Sequence, residues 1–155
     1  MSDRLAIMRE GRIVDSGPPL DVYLNPRSSF SARFVGQINV VPGDIAAAQP
    51  GIAEMRTQTG SLRGRLLDAI GEGPAEILIR PEHAVLRDAD APDPDQNSLN
   101  GVVTKRQFSG RFIEYEVKTS VACVKVTQDA SDSHDVGNQV KVVLPIEHCV
   151  VVGTS

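Results

Sequence analysis

Few residues in this chain stand at spacings that do chemistry. Glu114 and Glu116 lie two apart, so in a strand their carboxylates share a face, and paired carboxylates serve acid–base catalysis. Their alternation with Ile113, Tyr115 and Val117 instead makes that face the solvent side of a half-buried strand. His134 sits in Asp129–Asp135 (DASDSHD), which has metal-binding residue types but neither the pattern nor the terminal Glu of an EF-hand loop. His83 and His148 are far from it in sequence, with no ligand spacing around them, so no metal site is expected. Cys123 and Cys149 stand singly among valines, which predicts two buried structural cysteines rather than a disulfide or a metal pair. There is no GxxxxGK[ST] phosphate loop and no GxSxG, HExxH or GxGxxG motif. No catalytic residue is assigned, and the chain by itself is not expected to be an enzyme.

Two short segments remain as candidates. In Arg80-Pro81-Glu82-His83, proline removes a backbone donor and holds Arg80 extended, so the motif ends a strand. Arg80 and Glu82 can pair with each other or across a subunit contact, which makes residues 80–83 the candidate regulatory or interface group. Ser109-Gly110-Arg111 lies between two strand-like runs, where its backbone amides can hold an anion.

These residues must be positioned by short elements. Leu5–Met8 and Arg12–Asp15 flank Arg9-Glu10-Gly11 as a β-hairpin. Pro18-Pro19 opens a short helix through Leu24. Ser28 or Ser29 caps a second helix, which Gly36 closes and whose Phe30 and Phe34 form a packing face. Gln37–Gly43 reads as a linker or entering strand. Beyond it, ten β-like runs follow: Asp44–Ala47, Ala53–Gln58, Ser61–Leu67, Ala75–Ile79, Ala84–Arg87, Gly101–Phe108, Phe112–Lys118, Val121–Thr127, Gln139–Leu144 and Val150–Val152. Short strands at this spacing predict a small barrel or sandwich. Ala89–Asn97 is an acidic, proline-containing loop dividing the β region. A resemblance between Leu62–Ile79 and Asn100–Val117 is compatible with two half-barrels, and no internal repeat is assigned.

The 155 residues carry 16 basic and 20 acidic side chains, a net charge of −4. That balance argues against nucleic acid as a partner, since backbone binding needs clustered cations. An OB-like nucleic-acid barrel would have only Phe108, Phe112 and Tyr115 to stack on bases. No apolar run approaches the ~20 residues that span a bilayer, and the start lacks the signature of a signal peptide, so the cytoplasm is the expected location.

Beyond pattern, Ser2–Leu24, Asn25-Pro26 and Phe30–Gly36 (FSARFVG) resemble the end of the nucleotide-binding domain of ABC importer ATPases. Ile38–Gly43, Ile77–His83 (ILIRPEH), Gly101-Val102-Val103, Gly110 and Phe112–Lys118 resemble the TOBE regulatory domain appended to them. The stretch between Gly43 and Arg80 is similar to the iron, polyamine and sulfate-type importers.

The resemblance implies a mainly β fold: OB-like small barrels of the TOBE type, preceded by a β-hairpin and two short helices. It implies a nucleotide-binding-domain remnant at residues 1–40 and a TOBE-like regulatory domain at residues 41–155. The implied function is regulation and dimerisation of an importer's ATP-binding subunit. ATP and Mg would bind the full-length subunit and no cofactor this chain. A homodimer, transmembrane permease subunits and a small-molecule effector are the implied partners, with the intact transporter holding the subunit on the inner face of the membrane. The alternative reading is a cytoplasmic sensor of a small molecule or oxyanion.

Overall fold

Glu10 and Gly11 both take positive φ (53° and 78°), the backbone of a tight hairpin turn, and join strand β1 (Leu5–Arg9) to β2 (Arg12–Gly17). Helix α1 (Pro19–Leu24) follows with proline in its first turn. Helix α2 (Ser29–Val35) starts at Ser28, whose hydroxyl accepts from the Ser31 amide at 3.1 Å while Ser31 reaches back to the Ser28 amide. The Asp15 carboxylate accepts from the Arg27 amide (2.9 Å) and ties the hairpin to the segment between the helices. The computed structural model describes residues 3–92, 95–131 and 133–154.

The packing face of α2 differs from the expected one. Ser29, Ser31 and Ala32 are buried, Phe34 is 65% exposed, and Phe30 is half-buried under the Arg9 guanidinium, 4.8 Å from its ring centroid. Ala32 packs against Leu78, Val150 and Val152, where a small residue permits close approach and a phenylalanine would not fit.

All ten β-like runs are strands: β3 (Asn39–Gln49), β4 (Ile52–Thr57), β5 (Gly60–Leu66), β6 (Pro74–Ile79), β7 (Val85–Asp88), β8 (Asn97–Ser109), β9 (Phe112–Thr119), β10 (Cys123–Asp129), β11 (Gln139–Leu144) and β12 (Val150–Gly153). Single 3-10 turns, Pro81–His83 and Ile146–His148, join β6 to β7 and β11 to β12. A closed barrel runs β12-β5-β4-β3-β6, and a five-stranded sheet runs β10-β9-β8-β11-β7.

The two sheets are copies of one plan. β3 to β6 correspond in order to β8 to β11, and each half lends its last strand to the other: β7 pairs with β11, and β12 with β6. Asn39 and Asn97 open corresponding strands. The Asn39 side chain brackets both backbone groups of Lys125 in β10 (2.7 and 2.8 Å), and Asn97 brackets those of Arg63 in β5 (2.6 and 2.7 Å). Four residues on, Gly43 and Gly101 lie where a Cβ would meet a neighbouring strand's carbonyl oxygen, Arg56 O at 2.5 Å and Lys118 O at 2.8 Å. Register shifts follow at Ile45/Ala47 and at Val103/Lys105. The repeat therefore aligns β3–β4 with β8–β9, and the resemblance of Leu62–Ile79 to Asn100–Val117 compares segments that occupy different places in the two halves.

One aliphatic core runs through both sheets, including Val41, Met55, Ile77, Leu86, Ile113, Val126, Val142 and Val151, and takes in the buried Tyr115 ring. The Tyr115 hydroxyl accepts from the His134 amide at 3.1 Å, and His134 is itself buried. Glu114 and Glu116 face outward, Glu116 in register between Lys105 and Lys125. Cys149 is buried, but Cys123 is exposed, against expectation. Val124 and Val126 point inward, so strict alternation places Cys123 on the outer face with Lys125.

Candidate functional site

Strand β6 ends at Ile79, and Arg80 (φ −71°, ψ 144°) stays extended ahead of Pro81. This sends its side chain out of the barrel and under both helices, where the residue is only 2% exposed. Nε and Nη2 donate to Tyr23 O (3.2 and 3.0 Å), and Nη1 donates to Ala32 O (3.0 Å) and Gln37 O (2.8 Å). Tyr23 and Ala32 lie in the last turns of α1 and α2, where helix carbonyls have no partner within the helix. One planar cation thus satisfies the ends of two helices, in the orientation that also complements their dipoles. Its Cζ lies 4.1 Å from the centroid of the Tyr23 ring.

Around this centre the contacts are local and directional. Glu82 makes no ion pair with Arg80 among the described residues; it accepts a hydrogen bond from the Tyr23 hydroxyl. Burial, then that carboxylate, raises the Tyr23 phenol above its ordinary pKa. Burial lowers the Arg80 guanidinium below its ordinary value, opposed by Tyr23 and Glu82. Arg65, in β5, donates to Asn25 Oδ1 (2.6 Å) and Leu24 O (3.3 Å) at the end of α1. An exposed ion pair, Arg27–Asp68 at 2.9 Å, adds a further tie.

His83 stacks on His148 with ring centroids 4.1 Å apart and planes at 16°. These are corresponding residues of the two 3-10 turns, set side by side where the halves exchange strands. Burial, then the neighbouring His148, lowers the His83 imidazole below its ordinary pKa. Residues of α1, the segment after it, β5, β6 and both turns line a cleft of about 420 Å³.

Residues 80–83 are thus brought together with Tyr23, Arg65 and His148, which sequence reasoning did not single out. Ser109, Gly110 and Arg111 stand apart from this cleft at the exposed tip of the β8–β9 hairpin, with Gly110 at φ 66° and the Arg111 guanidinium 5.6 Å from the Phe112 ring centroid. Arg111 O is taken up by the Ala130 amide (3.1 Å). His148 had a signal in the sequence: Glu147-His148-Cys149-Val150 repeats Glu82-His83-Ala84-Val85. Tyr23 acts largely through its backbone oxygen, which no residue type announces. Among the described residues no group of three or more His, Cys, Asp or Glu lies close enough to hold a metal ion. No helix among the described residues is long and apolar enough to cross a membrane. The site gathers donors and rings, an arrangement that holds parts together or grips an acceptor.

A duplicated β unit with exchanged strands, carrying an Ile-Arg-Pro-Glu-His strand end, defines the class. Residues 77–152 match the family described as TOBE domain. The chain is similar to the ATP-binding subunits of ABC importers. It is 33% identical over 132 residues to the Fe(3+) ions import ATP-binding protein FbpC 1 of Rhizobium meliloti, covering 84% of this chain and 35% of that protein. Against the Fe(3+) ions import ATP-binding protein FbpC of Brucella abortus the figures are 34% over 119 residues, 77% and 32%. The spermidine/putrescine import ATP-binding protein PotA of Haemophilus ducreyi is 27% identical over 125 residues, with 76% and 32% covered. The chain spans about a third of the length of these curated relatives. In fold it resembles the cytoplasmic molybdate-binding protein ModG, with a TM-score of 0.65 at 12% identity, covering 76% of this chain and 96% of that one.

Proposed function

We propose that residues 1–40 are the end of a nucleotide-binding domain and residues 41–155 a regulatory β domain, together the C-terminal part of an ABC importer's ATP-binding subunit. The observation that carries this reading is the Arg80 contact. A residue of the TOBE match reaches across to carbonyls of both helices in the segment that resembles the end of the ATPase domain. Such a contact makes the two parts mechanically continuous, as regulation of one by the other requires. Identity to importer ATP-binding proteins over three quarters or more of the chain supports the same reading.

In this reading ATP and Mg bind elsewhere in the subunit, and this chain contributes no hydrolytic group. Permease subunits are its membrane partners, two copies pair through the β domain, and the subunit works at the inner face of the membrane. Ferric iron is the cargo we favour over polyamines, because identity to the iron-import relatives is 33–34% against 27%.

The test is an Arg80→Met substitution in the complete ATP-binding subunit, assembled with its permease in liposomes. The expected result is unchanged ATP binding with a several-fold change in ATP hydrolysed per ferric ion transported. Unchanged hydrolysis and unchanged uptake would show that Arg80 couples nothing.

A further inference from the structure

The two halves of the duplication close differently. In the first, β12 lies parallel to β5, with Val150 opposite Arg65 and Val151 opposite Leu66, and the Arg65 amide donates to Cys149 O at 2.8 Å. That seam completes the closed barrel. The asparagine brackets match Arg63 to Lys125, and the Glu-His-x-Val turns match Val150 to Val85. Arg65 and Leu66 therefore correspond to Thr127 and Gln128, and Val151 to Leu86. Among the described residues no ladder joins β7 to β10, so the second sheet stays open between them. The Leu86 amide instead donates to Gln128 Oε1 at 3.0 Å.

A side chain thus stands where the other half has backbone pairing. It is the weaker tie, because a glutamine gives up rotamer freedom to bond and offers one acceptor in place of a run of backbone bonds. The inward residues on either side of the seam, Leu86 in β7 and Val124 and Val126 in β10, are buried. Apolar contact therefore holds the seam shut, with Gln128 as its polar fastening. The first half carries further restraints. Ala32 of α2 packs on Leu78, Val150 and Val152 of the closed barrel, and Arg80 at the end of β6 holds carbonyls of both helices.

We propose that Gln128 is a latch, and that the second half opens between β7 and β10 while the first half stays closed on the helices. The open state keeps β7 paired with β11 and β10 paired with β9, so it costs no ladder. It is limited by the Asn39 bracket on Lys125, which holds the start of β10 to β3 while Gln128, toward the other end of the strand, is released. The β unit is then a rigid half bound to the helices and a half that can change shape. The inference concerns the β unit alone and stands without the transporter reading.

Amide hydrogen exchange of the full chain, read residue by residue by NMR, tests it by comparing corresponding amides. Protection at Leu86 and at Thr127 is expected to lie at least about ten-fold below that at Val151 and at Arg65. Gln128→Leu should lower Leu86 protection by at least about three-fold more and leave Val151 unchanged. A difference of less than about ten-fold at either pair in the unsubstituted chain overturns the proposal. It is equally overturned if a folded Gln128→Leu variant lowers Leu86 protection by less than about three-fold, or lowers that of Val151 as much. The first comparison needs no substitution, so it decides the matter should the variant fail to fold.

Discussion

Replacing Arg80 by methionine keeps an apolar stem of similar length and removes the guanidinium. Three carbonyl oxygens, those of Tyr23, Ala32 and Gln37, lose four hydrogen bonds from a residue 2% exposed. An unsatisfied buried acceptor costs about 1–3 kcal/mol, and removing one side of a buried charged network typically costs ~3–5 kcal/mol. Water entering the adjoining cleft relieves part of the sum, so we take about 3–5 kcal/mol for the whole. The loss should be local, because the barrel keeps its ladders while the hairpin and helices lose their main polar attachment. Hydrogen exchange read by mass spectrometry separates the two. At about 1.4 kcal/mol per factor of ten, protection in residues 5–37 should fall by roughly 10² to 10³-fold or more, and that of β3 to β6 by less than about ten-fold. Arg80→Lys should lose roughly half as much free energy, since one ammonium cannot span three carbonyls. A fall of less than about ten-fold in residues 5–37, or an equal loss in both regions, would refute the reasoning.

Asn39→Ala and Asn97→Ala each remove two backbone-bracketing hydrogen bonds, so each should cost about 2–4 kcal/mol, and chemical denaturation should find the two nearly equal. Burial pushes the Cys149 thiol up to about 12, while Cys123 is exposed; the native chain should therefore take up one iodoacetamide and the denatured chain two, counted by mass. His83 has its folded pKa lowered below 6.5, so the unfolded state binds the proton more readily. Its contribution is complete above pH 6.5 and is lost as pH falls from there through the folded value. The melting temperature should fall across that window, and His83→Asn should flatten the fall.

What was legible in the sequence follows from side-chain alternation. Ile113, Tyr115 and Val117 against Glu114 and Glu116 mark β9 and its buried face, and short β-like runs set between turn residues mark the ten strands. Residue type misleads at Cys123: a cysteine among valines predicts burial, whereas alternation with Val124 and Val126 places it outward. The four-residue spacing of Phe30 and Phe34 predicts a shared packing face, whereas Ala32 holds the contact and Phe34 is exposed. The start of β3 was obscured by Pro42 and Gly43, both of which the strand accommodates. The repeat was hidden because loops of different length shift the alignment from one strand to the next, leaving only Asn-x-x-x-Gly and Glu-His-x-Val in common. The acceptors of Arg80 are backbone oxygens, and a sequence pattern carries no trace of where those will gather.

The exchange of β7 and β12 has a consequence during synthesis. Strands β3 to β6 are complete at Ile79, but the strand that closes their barrel begins only at Val150, 71 residues later. At roughly 5–20 residues per second, the ribosome leaves the first barrel open for about 4–14 s. For that interval β5 and β6 present unpaired edges beside an aliphatic interior, the kind of surface that pairs with neighbouring chains. The nascent chain is therefore adhesive from the completion of β6 until β12 arrives, and slowing translation between the two halves lengthens the exposure.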